Sequence, residues 1–232
     1  MKVQTILKTA FATAVLAASV SAHALVVDNF STNQGAVYDT TADGTGVWSS
    51  VAASEALGGW RSIYVNNVSG GGLTNPYVGV ANGEFIFDTP SGVRAEARIR
   101  WDGTDNTTDT IAMGLGDLDL TAMGSAFELQ VGETDQGFPF RLEVYSSEGE
   151  VSVFEAASGG AGIYTIPFSF FVGNADFTRV NALQAIINVG GAVQAVDLRI
   201  TNASVVPEPA SLALLGLGLL GLGAIRRKQI AK

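Results

Sequence analysis

Gly92-Val93-Arg94-Ala95-Glu96-Ala97-Arg98-Ile99-Arg100-Trp101 is the stretch that decides how this chain folds. Val93, Ala95, Ala97, Ile99 and Trp101 alternate with Arg94, Glu96, Arg98 and Arg100. Successive side chains of an extended strand point to opposite faces, so a period of two gives one apolar face and one charged face. A helix would scatter both sets around its circumference. The stretch therefore predicts a strand with one side in a core and the other outside.

Neighbouring segments repeat the pattern. "AFELQV" turns Phe127, Leu129 and Val131 inward, and "FPFRLEVY" does the same with Phe138, Phe140, Leu142 and Val144. Further strand candidates are "LVVDNF", "WRSIYV", "EFIFD", "TIAMGL", "EVSVF", "YTIPFSF", "LQAIINV" and "VDLRI". Gly and Asn recur between them, and long 3.6-period apolar faces are scarce. About ten short strands separated by turns predict an all-β domain over residues 25–206, a two-sheet jelly-roll-like sandwich. No internal repeat and no domain-splitting linker interrupts it.

The early "DNF" (28–30), "GGWRSIYV" (58–65) and the closing "FTRV", "LQAIINV" and "AVDLRI" segments resemble jelly-roll carbohydrate-binding and galactose-binding-like domains. That resemblance supports the fold. A shared sandwich does not fix a ligand.

Both ends read as processing segments. Lys2 and Lys8 form a basic start, Thr9 to Val20 is apolar or small, and Ala22-His23-Ala24 supplies the small residues that signal peptidase accepts. Cleavage after Ala24 is expected, with Leu25 as the mature start and residues 1–24 as a signal helix. At the other end, "VPEPASLALLGLGLLGLGAIRRK" (206–228) joins three parts. Pro207 and Pro209 hold the backbone extended around Glu208. Ala210 to Ile225 is an uncharged run of 16 residues, about 24 Å as a helix, short of the ~20 residues that usually span a bilayer. Arg226, Arg227 and Lys228 then stay cytoplasmic by the positive-inside rule, leaving the domain on the far side.

This tail resembles the PEP-CTERM sorting signal of Gram-negative bacteria. The resemblance implies recognition by an exosortase, a membrane-embedded cysteine-dependent enzyme that removes the tail during export. Pro207, Glu208 and Pro209 would be its motif, the apolar run a short transmembrane helix, and Arg226, Arg227 and Lys228 the stop. It further implies an inner-membrane intermediate, delivery to the surface or extracellular matrix, and association with exopolysaccharide and biofilm.

Charge and composition narrow the function. The chain has no cysteine, and its one histidine, His23, falls in the leader. A Ser-His-Asp triad, a cysteine nucleophile and a His-ligated metal are therefore excluded from the mature domain, as are disulfides. Residues 25–206 hold seven arginines against 21 carboxylates, a net charge of −14, which repels phosphate backbones and argues against nucleic acid.

Three constellations remain as candidates. Arg94, Arg98 and Arg100 share one strand face, either to recognise a uronate, pyruvylated or sulfated glycan or to pair with Glu96, Glu143 and other acids. "WDGTDNTTDT" crowds Asp102, Asp105 and Asp109 into a turn-rich stretch, either as oxygen donors for a structural calcium or as Asx turns that shape the backbone. Trp48, Trp60, Tyr64, Tyr77 and Tyr145 either stack on sugar rings or, for most of them, fill the sandwich interior where large rings dominate, with Tyr64 and Tyr77 expected to be the exposed ones. The expected role is a non-catalytic surface or matrix protein with no required cofactor. Two alternatives stay open: a carbohydrate-binding module with a defined site, and a glycan hydrolase using paired carboxylates.

Overall fold

The computed structural model describes residues 24–70, 74–147 and 149–207. The expected signal and transmembrane helices lie outside them, as do Ala22, Glu208, Pro209, Arg226, Arg227 and Lys228. Among the described residues, no helix is long and apolar enough to cross a membrane.

Fourteen strands follow in chain order: β1 (Leu25–Asp28), β2 (Gln34–Tyr38), β3 (Val47–Ala52), β4 (Trp60–Ser69), β5 (Tyr77–Ala81), β6 (Glu84–Asp88), β7 (Arg94–Trp101), β8 (Ala126–Thr134), β9 (Pro139–Ser147), β10 (Glu150–Ala157), β11 (Gly162–Pro167), β12 (Val172–Gly173), β13 (Ala182–Ile187) and β14 (Leu198–Val206). They build two antiparallel sheets. The first runs β11-β8-β14-β6-β5-β2, with β1 also beside β14; the second runs β12-β10-β9-β13-β7-β4-β3. This is the expected all-β sandwich.

The core lies between the sheets, and the alternation in β7 places it there. Ala95, Ala97, Ile99 and Trp101 are buried against residues such as Phe85, Phe87, Leu198 and Ile200, while Arg94, Glu96, Arg98 and Arg100 face outward. The inward residues expected in β8 and β9 also pack in this core, Leu142 less completely than the others. In the central strand β13, flanked by β9 and β7, all six residues are buried.

One cation sits inside the sandwich. Arg61 on β4 and Asp28 on β1 are both fully buried, with Arg61 Nη1 3.0 Å from Asp28 Oδ1. Arg61 also donates to Gln34 Oε1 and to the Thr32 carbonyl, while Trp101 Nε1 donates to Asp28. Every strong acceptor in this cluster therefore meets a donor.

Two strand expectations are corrected. "TIAMGL" (110–115) is no strand; it belongs to the long connection between β7 and β8. That connection folds back on itself, with Gly114 N–H donating to the Asp102 carbonyl, and a Cβ on Gly114 would lie 2.5 Å from that oxygen. "YTIPFSF" is strand only to Pro167, and Phe168–Phe170 forms a single 3-10 turn. The missing N–H of Pro167 marks where the ladder stops. β2, β3, β5 and the two-residue β12 were not anticipated, being short and rich in Gly, Ser or small residues.

Candidate functional site

The outward face of the second sheet assembles from strand register. One row crosses five strands as Trp48, Tyr64, Arg98, Ile186 and Arg141; the next runs Ser50, Ser62, Arg100, Gln184 and Glu143. Residues distant in sequence thus meet because the strands are antiparallel and in fixed register.

Aromatic rings and guanidinium groups interleave on this face. Trp48 and Tyr64 lie 4.7 Å apart, Arg98 covers Tyr64 at 4.7 Å, and Arg100 covers Trp48 at 4.1 Å. These are cation–π distances. Tyr64 is only 4% exposed, contrary to the expectation of an exposed stacking residue. Its ring is held between Trp48, Arg98 and the backbone at Gly46, where an added Cβ would overlap the ring. Burial pushes the Tyr64 phenol up.

The three arginines have different fates. Arg94, at the strand's exposed end, donates to the Ala192 carbonyl. Arg98 pairs with Glu96 at 2.7 Å, and its Nη1 lies 4.0 Å from Asp109. Burial works against the Arg98 charge, but Glu96 outweighs it and raises the pKa. Arg100 is 1% exposed and donates to Gln184 Oε1 at 3.0 Å and to the Thr108 and Thr110 carbonyls. Its Nη2 has no hydrogen-bond partner, and no described carboxylate lies within ion-pair distance of it. Burial accordingly lowers the Arg100 pKa. Pairing with acids thus accounts for Arg98 and not for Arg100.

Around Arg100 the face is polar and ordered. Glu143 Oε2 accepts from Gln184 Nε2 at 2.8 Å and from the Tyr145 hydroxyl at 2.6 Å. Burial, and then this bond to Glu143, push the Tyr145 phenol far up, so Tyr145 remains a donor throughout the physiological range. Gln184 is a site residue that sequence reasoning missed: in "LQAIINV" it reads as one polar residue in a core strand.

The connection after β7 covers part of the face. Ser62 Oγ donates to the Asn106 carbonyl, and Trp48 Nε1 donates to Asp109 Oδ1 at 3.0 Å. Asp109 is otherwise solvent-facing, so one of its oxygens rests on Trp48 close to Arg98.

The remaining candidates are dispersed. Tyr77 lies on the first sheet against Tyr38, at 5.2 Å, so Tyr64 and Tyr77 do not form one site. Asp102 is turned inward, its carboxylate taken up by Thr104, Asn106 and the Ala112 N–H, whereas Asp105 and Asp109 are exposed. Among the described residues, no group of three or more acidic or His side chains is placed to hold a metal ion. Pro207 is the first residue beyond β14.

Comparison with known proteins adds the following. Residues 205–228 match the PEP-CTERM protein-sorting motif, which implies exosortase processing and export through a membrane-anchored intermediate. No curated protein matches. Among solved structures, the chain is similar to the family 11 carbohydrate-binding module of the cellulosomal cellulase Lic26A-Cel5E of Clostridium thermocellum, with a TM-score of 0.40 and 12% identity over 81% of this chain and 96% of the module. A family 11 module from the same organism, in complex with a β-1,3-1,4-mixed-linked tetrasaccharide, gives 0.40 and 12% over 79% of this chain and 95% of that one. PfGH50B gives 0.41 and 9%, covering 58% of this chain and 22% of PfGH50B.

Proposed function

We propose that this protein is exported, freed of its tail by an exosortase, and retained at the surface or in the extracellular matrix, where it associates non-catalytically with an acidic exopolysaccharide. The observation that carries the reading is the sorting motif joined directly to the last strand of the domain, because it assigns a destination outside the cytoplasm. A polymer of sugars is the abundant partner there, and a domain of net charge −14 relies on local features to meet an acidic one.

The proposed contact is the Trp48–Tyr64–Arg98–Arg100 face. A buried cation lacking a counter-ion is costly, and a carboxylate or sulfate is the group that relieves it. Asp109 serves as an internal stand-in: its carboxylate, on Trp48 Nε1 and near Arg98, marks where a sugar carboxylate would bind after displacing it. Glu96 and Glu143 are engaged by Arg98 and Gly190, and by Tyr145 and Gln184, which supports a binding face over a hydrolytic pair.

Affinity electrophoresis through gels containing the producing bacterium's exopolysaccharide tests this. Wild-type protein should be retarded and Arg98→Ala less so, with no reducing ends released; their release would establish a hydrolase. The mass of the secreted protein should place its end close after Val206, and an intact Arg226–Lys232 segment would contradict the processing.

A further inference from the structure

We infer that the end of the sandwich where β1 begins and β14 stops is a lipid-contacting surface, on which the domain rests while its tail is still in the membrane. The inference rests on the tail-anchored export intermediate described above.

The first observation is where the chain enters and leaves the domain. Leu25 and Val205 are direct partners across β1 and β14, so both termini emerge side by side at one end. Only Val206 and Pro207 separate that partner from Glu208, and the uncharged run starts at Ala210. With a spacer this short, an inserted tail brings that end of the domain to the bilayer, and β14, nine residues long, stands about 30 Å from end to end.

The second observation is what this end exposes. Val206 accepts from Ser125 N–H, and Ser125 accepts from Phe168 N–H, so the turn after β11 and the segment before β8 flank the exit point. Within three residues of that ladder stand Met123 (41% exposed) and Phe170 (61%), with Val172 (79%) just beyond and Val26 (43%) on β1. These are four of the eight large apolar side chains exposed among the described residues. Phe170 and Val172 flank Phe171, whose ring packs against Phe127, Phe154 and Phe177, and Phe170 also borders the apolar cavity lined by Leu129, Phe154 and Ile166. Exposed apolar side chains beside a membrane anchor fit the headgroup–acyl boundary of a bilayer.

The charges nearby choose the lipid. Asp117, Asp119, Asp176 and Glu150 border this end, with Arg179 as the cation facing them. An excess of carboxylates disfavours an anionic surface, so the proposed occupant is a zwitterionic one.

The absence of cysteine makes a direct test available. The chain from Leu25 to Lys232, with a single fluorophore placed by Ala122→Cys beside Met123, by Ser91→Cys at the far end, or by Leu217→Cys in the tail, is reconstituted into phosphatidylcholine vesicles carrying a nitroxide quencher in the acyl region. The Ala122→Cys label should be quenched several-fold more than the Ser91→Cys label. That excess should fall when Phe170→Ser and Val172→Ser are added, and when phosphatidylglycerol replaces part of the phosphatidylcholine. Equal quenching at positions 122 and 91, with the position 217 label strongly quenched, would overturn the inference while leaving the anchored intermediate intact. An unquenched label at 217 would overturn the anchored intermediate, and this inference with it.

Discussion

Arg61 and Arg100 are neighbours in the second sheet, on adjoining strands, and both are almost completely removed from solvent. Arg61 lies within the sandwich and is fully answered: Asp28 takes two of its contacts at 3.0 and 3.2 Å, Gln34 and Thr32 take others, and Glu55 approaches at 3.9 Å. Arg100 lies on the outer face, with a tryptophan ring, an amide oxygen and two carbonyls around it but no carboxylate within ion-pair distance, and with one nitrogen unanswered. The first is a closed structural unit. The second is, on the proposed reading, where an anion binds. A cation's burial alone thus says little about its role, whereas the inventory of its partners separates scaffold from site.

The contrast can be broken by substitution, and the largest effect belongs to the scaffold. Arg61→Ala leaves the Asp28 carboxylate buried without its counter-charge and should cost about 3–5 kcal/mol in urea unfolding. A loss below about 1 kcal/mol would show that the pair is not the closed unit described here. Arg100→Met should behave differently. It removes three hydrogen bonds worth about 1 kcal/mol net each while relieving a buried charge that has no ion-pair partner, so stability should fall less than in Arg61→Ala. Affinity for an acidic glycan should nevertheless fall by about tenfold or more, equivalent to roughly 1.4 kcal/mol. An equally large drop in stability would place Arg100 with Arg61 as scaffold.

Smaller effects sharpen the same division. Asp109→Ala removes the internal stand-in from Trp48 and should strengthen acidic-glycan binding several-fold in competition assays; weaker binding would show that the loop carboxylate belongs to the site. The smallest effect lies at the surface. Hydrogen bonds from Arg179 and Asn181 hold the Asp117 carboxyl below its usual value. A depressed carboxylate stabilises the fold above its unfolded pKa of 3.8, and that contribution disappears as pH falls through the lower folded value. Asp117→Asn should therefore lower Tm slightly at pH 7 and leave it unchanged in strong acid. A Tm difference that persists there would assign the effect to shape instead of charge.

The alternation in β7 was legible residue by residue, because a period of two is a local property of the backbone. "TIAMGL" was misread because its apolar residues serve a loop folded back on Asp102, a tertiary contact that local pattern does not encode. The arginine face was half legible. That Arg94, Arg98 and Arg100 share a side follows from spacing, but which of them would be paired depended on strand order. Glu96 reaches Arg98 from the same strand, while Gln184 beside Arg100 comes from β13 across the register. Tyr64 was expected outside, and the expectation failed on a cross-strand contact. Its burial arises from Trp48 on β3, a strand that "VWSSVA" hardly announces. The sorting motif at residues 205–228, by contrast, was readable from the sequence, since a sorting signal is recognised as a linear peptide and requires no tertiary contact.

The central claim is that the outer face holds an acidic sugar at Arg100. The most direct measurement is calorimetric titration of residues 25–207 with the producing bacterium's exopolysaccharide, native and after chemical reduction of its carboxyl groups. The account predicts saturable binding to the native polymer, lost on carboxyl reduction and greatly weakened in Arg100→Met. No heat with the native polymer, or equal binding by wild type and Arg100→Met, would contradict it.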